Sequence, residues 1–208
     1  MSELGFINMF LTLKKPKNAL DIGIGNGRIL SNYLQNTRNC LIFGIDIAAE
    51  MVNICKKRFL NNPSIVKLAT CNFSKEAAPF NQTFDFITSI RVIKYNKNWP
   101  EMIKRISNSL NRGGIAVFDM PNKYSLNVFG RYSIPFYRTS KKELEAICKN
   151  NGLEILNIQS FTRIPDVFYM LSNDSMYSRL IIYIEKLLGY ILGNTLLGRI
   201  IFIAVKKK

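Results

Sequence analysis

The sequence predicts an α/β protein in which strands and helices alternate along a largely parallel sheet, and three observations predict it. First, in residues 19–30 an apolar stretch meets an acid, Asp21, then glycines at every second position, Gly23, Gly25 and Gly27, and passes at once into a helical pattern. A strand, a glycine turn and a helix let the backbone approach a ligand closely, because no Cβ stands in the way. Second, residues 40–46 are apolar without alternation until Asp46, as in parallel strands covered by helices on both faces. Third, apolar segments continue to recur between helical ones, with no internal repeat and no break that marks a second domain. A length of 208 residues suits one domain with a sizeable core.

The glycine spacing narrows the ligand. A dinucleotide fingerprint has the form G-x-G-x-x-G, but Arg28 follows Gly25 by three residues and Leu30 follows Gly27 by three. Asp21 at the strand end would also oppose a pyrophosphate. The pattern D-x-G-x-G-x-G suits instead a ligand that carries an ammonium or sulfonium. On these residues the chain resembles the class I, Rossmann-like S-adenosylmethionine-dependent methyltransferases, whose first motif has this form. Two later phrases extend the resemblance: Phe84-Asp85-Phe86-Ile87, of the form F-D-x-[IV], and Arg105 with Leu110, Gly113 and Gly114, of the form R-x-x-x-x-L-x-x-G-G. The resemblance implies a doubly wound, mostly parallel seven-stranded sheet with helices on both faces and the last strand antiparallel.

Taken in order, residues 2–12 can form a short amphipathic helix with Leu4, Ile7, Phe10 and Leu11 on one face. A polar connector leads to a first strand at 18–22 and a helix over 26–36. The second strand, 40–46, is followed by a helix over 48–59, a third strand at 65–69 and a fourth at 83–90. A helix over 100–110 ends at Asn111-Arg112-Gly113-Gly114, whose glycines suit a left-handed cap before a fifth strand at 115–119. Met120 then opens a long loop to Thr139 carrying Tyr124, Phe129, Tyr132, Phe136 and Tyr137. Aromatics in so long a connection form either a substrate wall or packing on outer helices. Ser140-Lys141-Lys142-Glu143 is a capping box that opens a helix to Asn150. Residues 153–161 and 200–205 read as the sixth and seventh strands. The expected organisation is a single methyltransferase domain, 1–208, with 1–17 as a short helical lid and 121–139 and 163–197 as substrate-side insertions.

Asp46 closes its strand 21 residues after Gly25. A carboxylate there can accept both ribose hydroxyls of an adenosine held over the glycine turn, or it can cap the next helix. By the resemblance, the cofactor is S-adenosylmethionine, with S-adenosylhomocysteine as product. Asp21, Gly23, Gly25 and Gly27 then line its methionine part, Ile47 and Met51 pack on adenine, Asn72 and Phe73 bound the adenine edge, and Ser89 belongs to the same set. The family commonly has Asp where Asn72 stands; an amide carbonyl still accepts a hydrogen bond, without charge. No histidine is present, which removes the commonest general base and metal ligand, and no metal site is expected. Tyr95, Lys94, Asp119 and Asn122 lie at strand ends suited to an acceptor's proton, and spacing does not choose among them. Methyl transfer from an activated donor leans on alignment of the acceptor, so a strong base is optional.

The net charge of +15 fits either a biased genome composition or attraction to an anionic partner. Cys40, Cys55, Cys71 and Cys148 show no C-x-x-C spacing, as expected of reduced thiols in a cytoplasmic protein. After the fourth strand the residues are Ser89-Ile90-Arg91-Val92, not the [DN]-P-P-[YF] of nucleic-acid amine methyltransferases. The expected acceptor is therefore a small molecule, a sugar or a lipid-linked intermediate, of anionic character. RNA methylation through the basic surface and a catalytically silent cofactor-binding module are the alternatives. Residues 187–205 carry one charge, Arg199, and approach membrane-spanning length. Three glycines, Asn194 and Arg199 interrupt this stretch, and the resemblance calls for a helix and a final strand here; an interfacial helix, peripheral to the membrane, is the alternative.

Overall fold

The computed structural model describes residues 2–125, 136–161, 164, 175–192 and 198–208. Helix α1 (Glu3–Lys14) precedes β1 (Asn18–Ile22), α2 (Arg28–Asn36), β2 (Leu41–Asp46), α3 (Ala49–Arg58), β3 (Ile65–Thr70) and β4 (Phe84–Ser89). A 3-10 turn at Ile93–Tyr95 leads to α4 (Trp99–Ser109), β5 (Leu110–Pro121), α5 (Lys141–Asn150), β6 (Leu153–Phe161), α6 (Ser175–Leu192) and β7 (Ile200–Lys207). The strands form one seven-stranded sheet in the order β3-β2-β1-β4-β5-β7-β6. Pairing is parallel from β3 to β5 and antiparallel where β7 meets β5 and β6. This is the doubly wound sheet with a reversed last strand that the resemblance implies.

Both faces of the sheet are covered, and successive strand residues feed opposite cores. Leu20 and Ile22 of β1, with Ala116, Phe118 and Met120 of β5, join α4 and α5 through Met102, Ile103, Ile106, Leu144 and Cys148. Ala19, Phe86, Ile115, Val117, Phe202 and Ala204 pack on the other side against α1, α2 and α3. Continuous apolar strands follow from that two-sided burial. Helix α1 packs on the sheet: Phe6 and Ile7 are fully buried, and Phe6 meets the rings of Phe10 and Phe202. Ser2 caps it by accepting from Gly5 N–H at 3.1 Å. Ser140 caps α5 in the same way, accepting from Glu143 N–H at 3.2 Å, as the capping box predicts.

Two boundaries differ from the expectation. Strand β5 runs from Leu110 rather than 115, and the Gly113-Gly114 pair lies inside it as a bulge. Phe84 pairs with Leu110 but Phe86 with Ile115, so the extra residues on β5 are absorbed there, with Gly113 at φ +72°. The strand also continues through Met120 and Pro121, because β7 pairs with them at Ile201 and Ile200; the loop begins later than Met120. The two apolar runs near 180–192 fall on the single helix α6. Among the described residues no helix is long and apolar enough to cross a membrane. Phe129 and Tyr132, and most of residues 163–174, lie outside the described residues. The four cysteines are free and buried; burial pushes the Cys40 and Cys71 thiols up to about 11 and Cys148 to about 12.

Candidate functional site

Strand β1 lies between β2 and β4, and there the strand order reverses. In open α/β sheets a crevice opens at such a switch point, outside the carboxyl ends of the strands. A cavity of about 380 Å³ occupies that place, within the range of small-molecule sites. Of the residues expected to bind a cofactor, it brings together Gly23, Gly25, Asp46, Ile47, Asn72 and Phe73. Tyr95 joins them from the loop after β4, beside Arg91, Val92, Asn96 and Met102. Asp21, Gly27, Met51, Ser89, Lys94, Asp119 and Asn122 are not on its wall.

Turn geometry explains the glycines. Gly23, Gly25 and Gly27 have φ of +80°, +50° and +85°, a region that residues with a Cβ rarely enter. A Cβ on Gly23 would overlap Val92, and one on Gly27 would lie 2.7 Å from Phe59 Cε2. A Cβ on Gly25 would meet nothing within 4 Å, so this residue faces open space in the cavity. Asp46 locks the turn. Gly25 N–H donates to its Oδ2 and Ala48 N–H to its Oδ1, both at 2.9 Å. A carboxylate offers about four acceptor positions, so two remain for a ligand. The capping and ligand-binding readings of Asp46 are therefore compatible.

Behind the turn lies a buried polar network. Asp21 is fully buried; Thr88 Oγ1 donates to its Oδ1 at 2.7 Å and also lies 2.7 Å from Tyr33 Oη. Burial pushes the Asp21 carboxyl up to about 7, against the pull of Thr88 and of Arg28. Asp119 is equally buried at the end of β5; its Oδ1 accepts from Arg91 N–H at 2.5 Å, and burial raises its carboxyl to about 6. Asp21 Oδ2, Ser89 Oγ and Asp119 Oδ2 are the buried side-chain atoms without a partner among the described residues. Such orphans mark a place for water or a ligand.

The other candidates have structural partners. Asn72 Oδ1 takes two donors from Ser74, N–H at 3.2 Å and Oγ at 2.6 Å, which fills its carbonyl and leaves the amide NH2 for a ligand. Lys94 Nζ lies 5.0 Å over the Tyr95 ring and 6.0 Å from that of Phe136. Asn122 is buried and accepts from Tyr124 N–H at 3.1 Å. Met51, half-buried in the first turn of α3, stands off the cavity wall. Arg91 is the residue that sequence reasoning missed. It has φ +64°, uncommon for a side chain of its size. Its neighbour Val92 packs against the space a Gly23 side chain would need. Its place directly after an F-D-x-[IV] strand was the available signal.

A family model described as "Methyltransferase domain" matches residues 5–158. The chain belongs to that methyltransferase family. Among curated proteins, the methyltransferase is 23% identical over 174 residues to the ubiquinone biosynthesis O-methyltransferase of Azoarcus sp. (strain BH72), covering 76% of this chain and 74% of the relative. It is 26% identical over 107 residues to the pavine N-methyltransferase of Thalictrum flavum subsp. glaucum, covering 50% of this chain and 29% of the relative. Among solved structures, that of magnesium protoporphyrin IX methyltransferase from Synechocystis PCC 6803 with bound S-adenosylhomocysteine superposes with a TM-score of 0.66. The identity is 12%, over 99% of this chain and 82% of that one. Relatives thus include O- and N-methyltransferases, and S-adenosylmethionine is the cofactor. The site suits it: Gly25 opens onto free space and the Asp46 carboxylate keeps two acceptor positions.

Proposed function

We propose that this methyltransferase methylates an oxygen or nitrogen of a small anionic molecule that enters beside the loop after β4. The observation that carries the reading is the make-up of the cavity wall, which joins glycine backbone and Asp46 to Arg91, Tyr95 and Asn96. Asp46 would accept both ribose hydroxyls, Ile47 and Phe73 would flank adenine, and the Asn72 NH2 would donate to a ring nitrogen. Gly23 and Gly25 would let the sulfur approach the backbone. When bound, the cofactor supplies a methyl group already activated on a sulfonium. The protein's part is then to hold the acceptor in line, which can account for much of the acceleration. Tyr95 and Arg91, which line the cavity, would do this, with Lys94 stacked on Tyr95.

Incubation with methyl-labelled cofactor and a fractionated cell extract tests the reading. Label in an anionic small molecule or sugar supports it. Label in RNA that falls steeply with added salt would replace it with RNA methylation. Binding of cofactor with no label in any fraction would leave a regulatory module.

A lipid-linked acceptor is the second reading, favoured by α6. Tyr177, Leu180, Tyr183, Ile184, Leu187 and Tyr190 are all exposed on that helix and, at 100° per residue, share one face. A basic protein with such a face is suited to an anionic bilayer surface. Sedimentation with anionic but not neutral vesicles supports this; a Leu187→Glu variant that sediments equally well would remove it.

A further inference from the structure

Glu3, in the first turn of α1, places one carboxylate between two guanidiniums. Its Oε1 accepts from Arg28 Nη2 and its Oε2 from Arg91 Nη2, the latter at 3.3 Å. The three residues come from separate elements: the start of α1, the start of α2 directly after the glycine turn, and the loop after β4. The Glu3 side chain is only 17% exposed, against 42% for Arg28 and 62% for Arg91. Exposed ion pairs contribute little to stability, so holding the fold together is a weak reason for this one. Guanidinium forks match carboxylates in shape as well as charge.

Arg91 is also held in place at some cost. It lines the cavity, its backbone is left-handed, and Asp119 fixes its N–H at 2.5 Å. Uncommon backbone conformations that persist point to a role for the residue. Close by are the orphaned oxygens of Asp21 and Asp119. Asp21 feels the charge of Arg28, and Asp119 those of Arg91, Lys94 and Glu3. Acids with one oxygen left without a donor, beside arginines already holding a carboxylate, form the charge pattern that an amino-acid zwitterion would complement.

We propose that Arg28 and Arg91 form a carboxylate subsite beside the cavity that Arg91 lines, and that Glu3 fills it as an internal competitor until a ligand carboxylate replaces it. The ligand carboxylate belongs either to the amino-acid end of the cofactor or to an acidic acceptor; only that identity rests on the function proposed above. Exchange conserves the charge pairing, since one carboxylate replaces another. It needs little movement: Phe6 and Ile7 anchor α1 in the core, while the Glu3 side chain can swing out. A competitor that occupies the subsite for most of the time lowers the apparent affinity of the ligand by the fraction left free.

The test is calorimetry with three probes: S-adenosylhomocysteine, methylthioadenosine (the same adenosine thioether without the amino-acid end) and malonate. Glu3→Gln should tighten malonate binding by about three- to tenfold, and Arg91→Ala should weaken it. The opposite signs matter, because both changes break the same ion pair and a merely structural latch would respond alike to both. Loss of malonate binding after saturation with S-adenosylhomocysteine assigns the subsite to the cofactor; persistence assigns it to the acceptor. In the first case Glu3→Gln also tightens S-adenosylhomocysteine and leaves methylthioadenosine unchanged. Affinities for malonate and S-adenosylhomocysteine that stay within about twofold in Glu3→Gln and in Glu3→Ala overturn the proposal. Methylthioadenosine binding reports on the cofactor site by itself, so the two readings fail separately.

Discussion

Replacing Asp46 with Asn removes a charge and leaves a side chain of the same shape. In the folded protein Asp46 holds Gly25 N–H and Ala48 N–H, one on each oxygen, at 2.9 Å. An amide has a single carbonyl, so one of the two N–H groups would face an NH2 instead. Leaving a donor unpaired costs about 1–3 kcal/mol, equivalent to roughly 2–12 °C in melting temperature for a protein of this size. On the proposed ribose contact, the sugar hydroxyls would lose a charged acceptor at the same time. Hydrogen bonds to charged groups are worth about 1.5–3 kcal/mol, so S-adenosylhomocysteine should bind about ten- to a hundredfold more weakly. Calorimetry at 25 °C gives the second number and a thermal melt the first. A lower melting temperature with unchanged affinity would refute the reasoning, because Asp46 would then shape the turn without touching the sugar.

Gly25→Ala should separate folding from binding: the left-handed φ of +50° costs about 1–2 kcal/mol of stability, no protein atom lies within 4 Å of the new methyl, and cofactor binding should fall by more than the stability loss. Normal binding in this variant would place the ligand elsewhere. Gly23→Ala should instead push Val92 aside and lower the melting temperature further. A third expectation concerns pH. Burial raises Asp21 from 3.8 to about 7 and Asp119 from 3.8 to about 6, so the folded state binds more protons than the unfolded one between those values. The stability these two acids contribute is then full below about pH 4 and is lost as pH rises to about 7. Thermal melts of Asp21→Asn and Asp119→Asn should each flatten that slope, and a slope unchanged in both would show that neither acid titrates in this range.

Much of the glycine turn and of the acid beside it was legible in the sequence because it depends on local chemistry. Backbone that must be left-handed at Gly23, Gly25 and Gly27 calls for glycine, and an acid 21 residues on can be counted along the chain. The setting of Arg91 was not legible. Arg91 acquires its meaning from Glu3, 88 residues away, and from Asp119 on another strand, and such meetings depend on strand order rather than spacing. Burial likewise separates acids that look alike in sequence: Asp21 and Asp119 lose their solvent, while Asp46 stays at the cavity. The ends of β5 were misjudged for a related reason. Pairing with β7 extends the strand through Met120 and Pro121, and no local signal announces a partner about 80 residues later.

That late partner bears on how the protein is made. Strand β7 comes last in sequence among the seven, yet it lies between β5 and β6. On a ribosome adding about 5–20 residues per second, the roughly 80 residues from β5 to β7 take about 4–16 s to emerge. Throughout that interval the flank of Ala116, Val117 and Phe118 offers unpaired amides to any neighbouring nascent polypeptide. A strand edge left open for that long is a template for pairing with another copy.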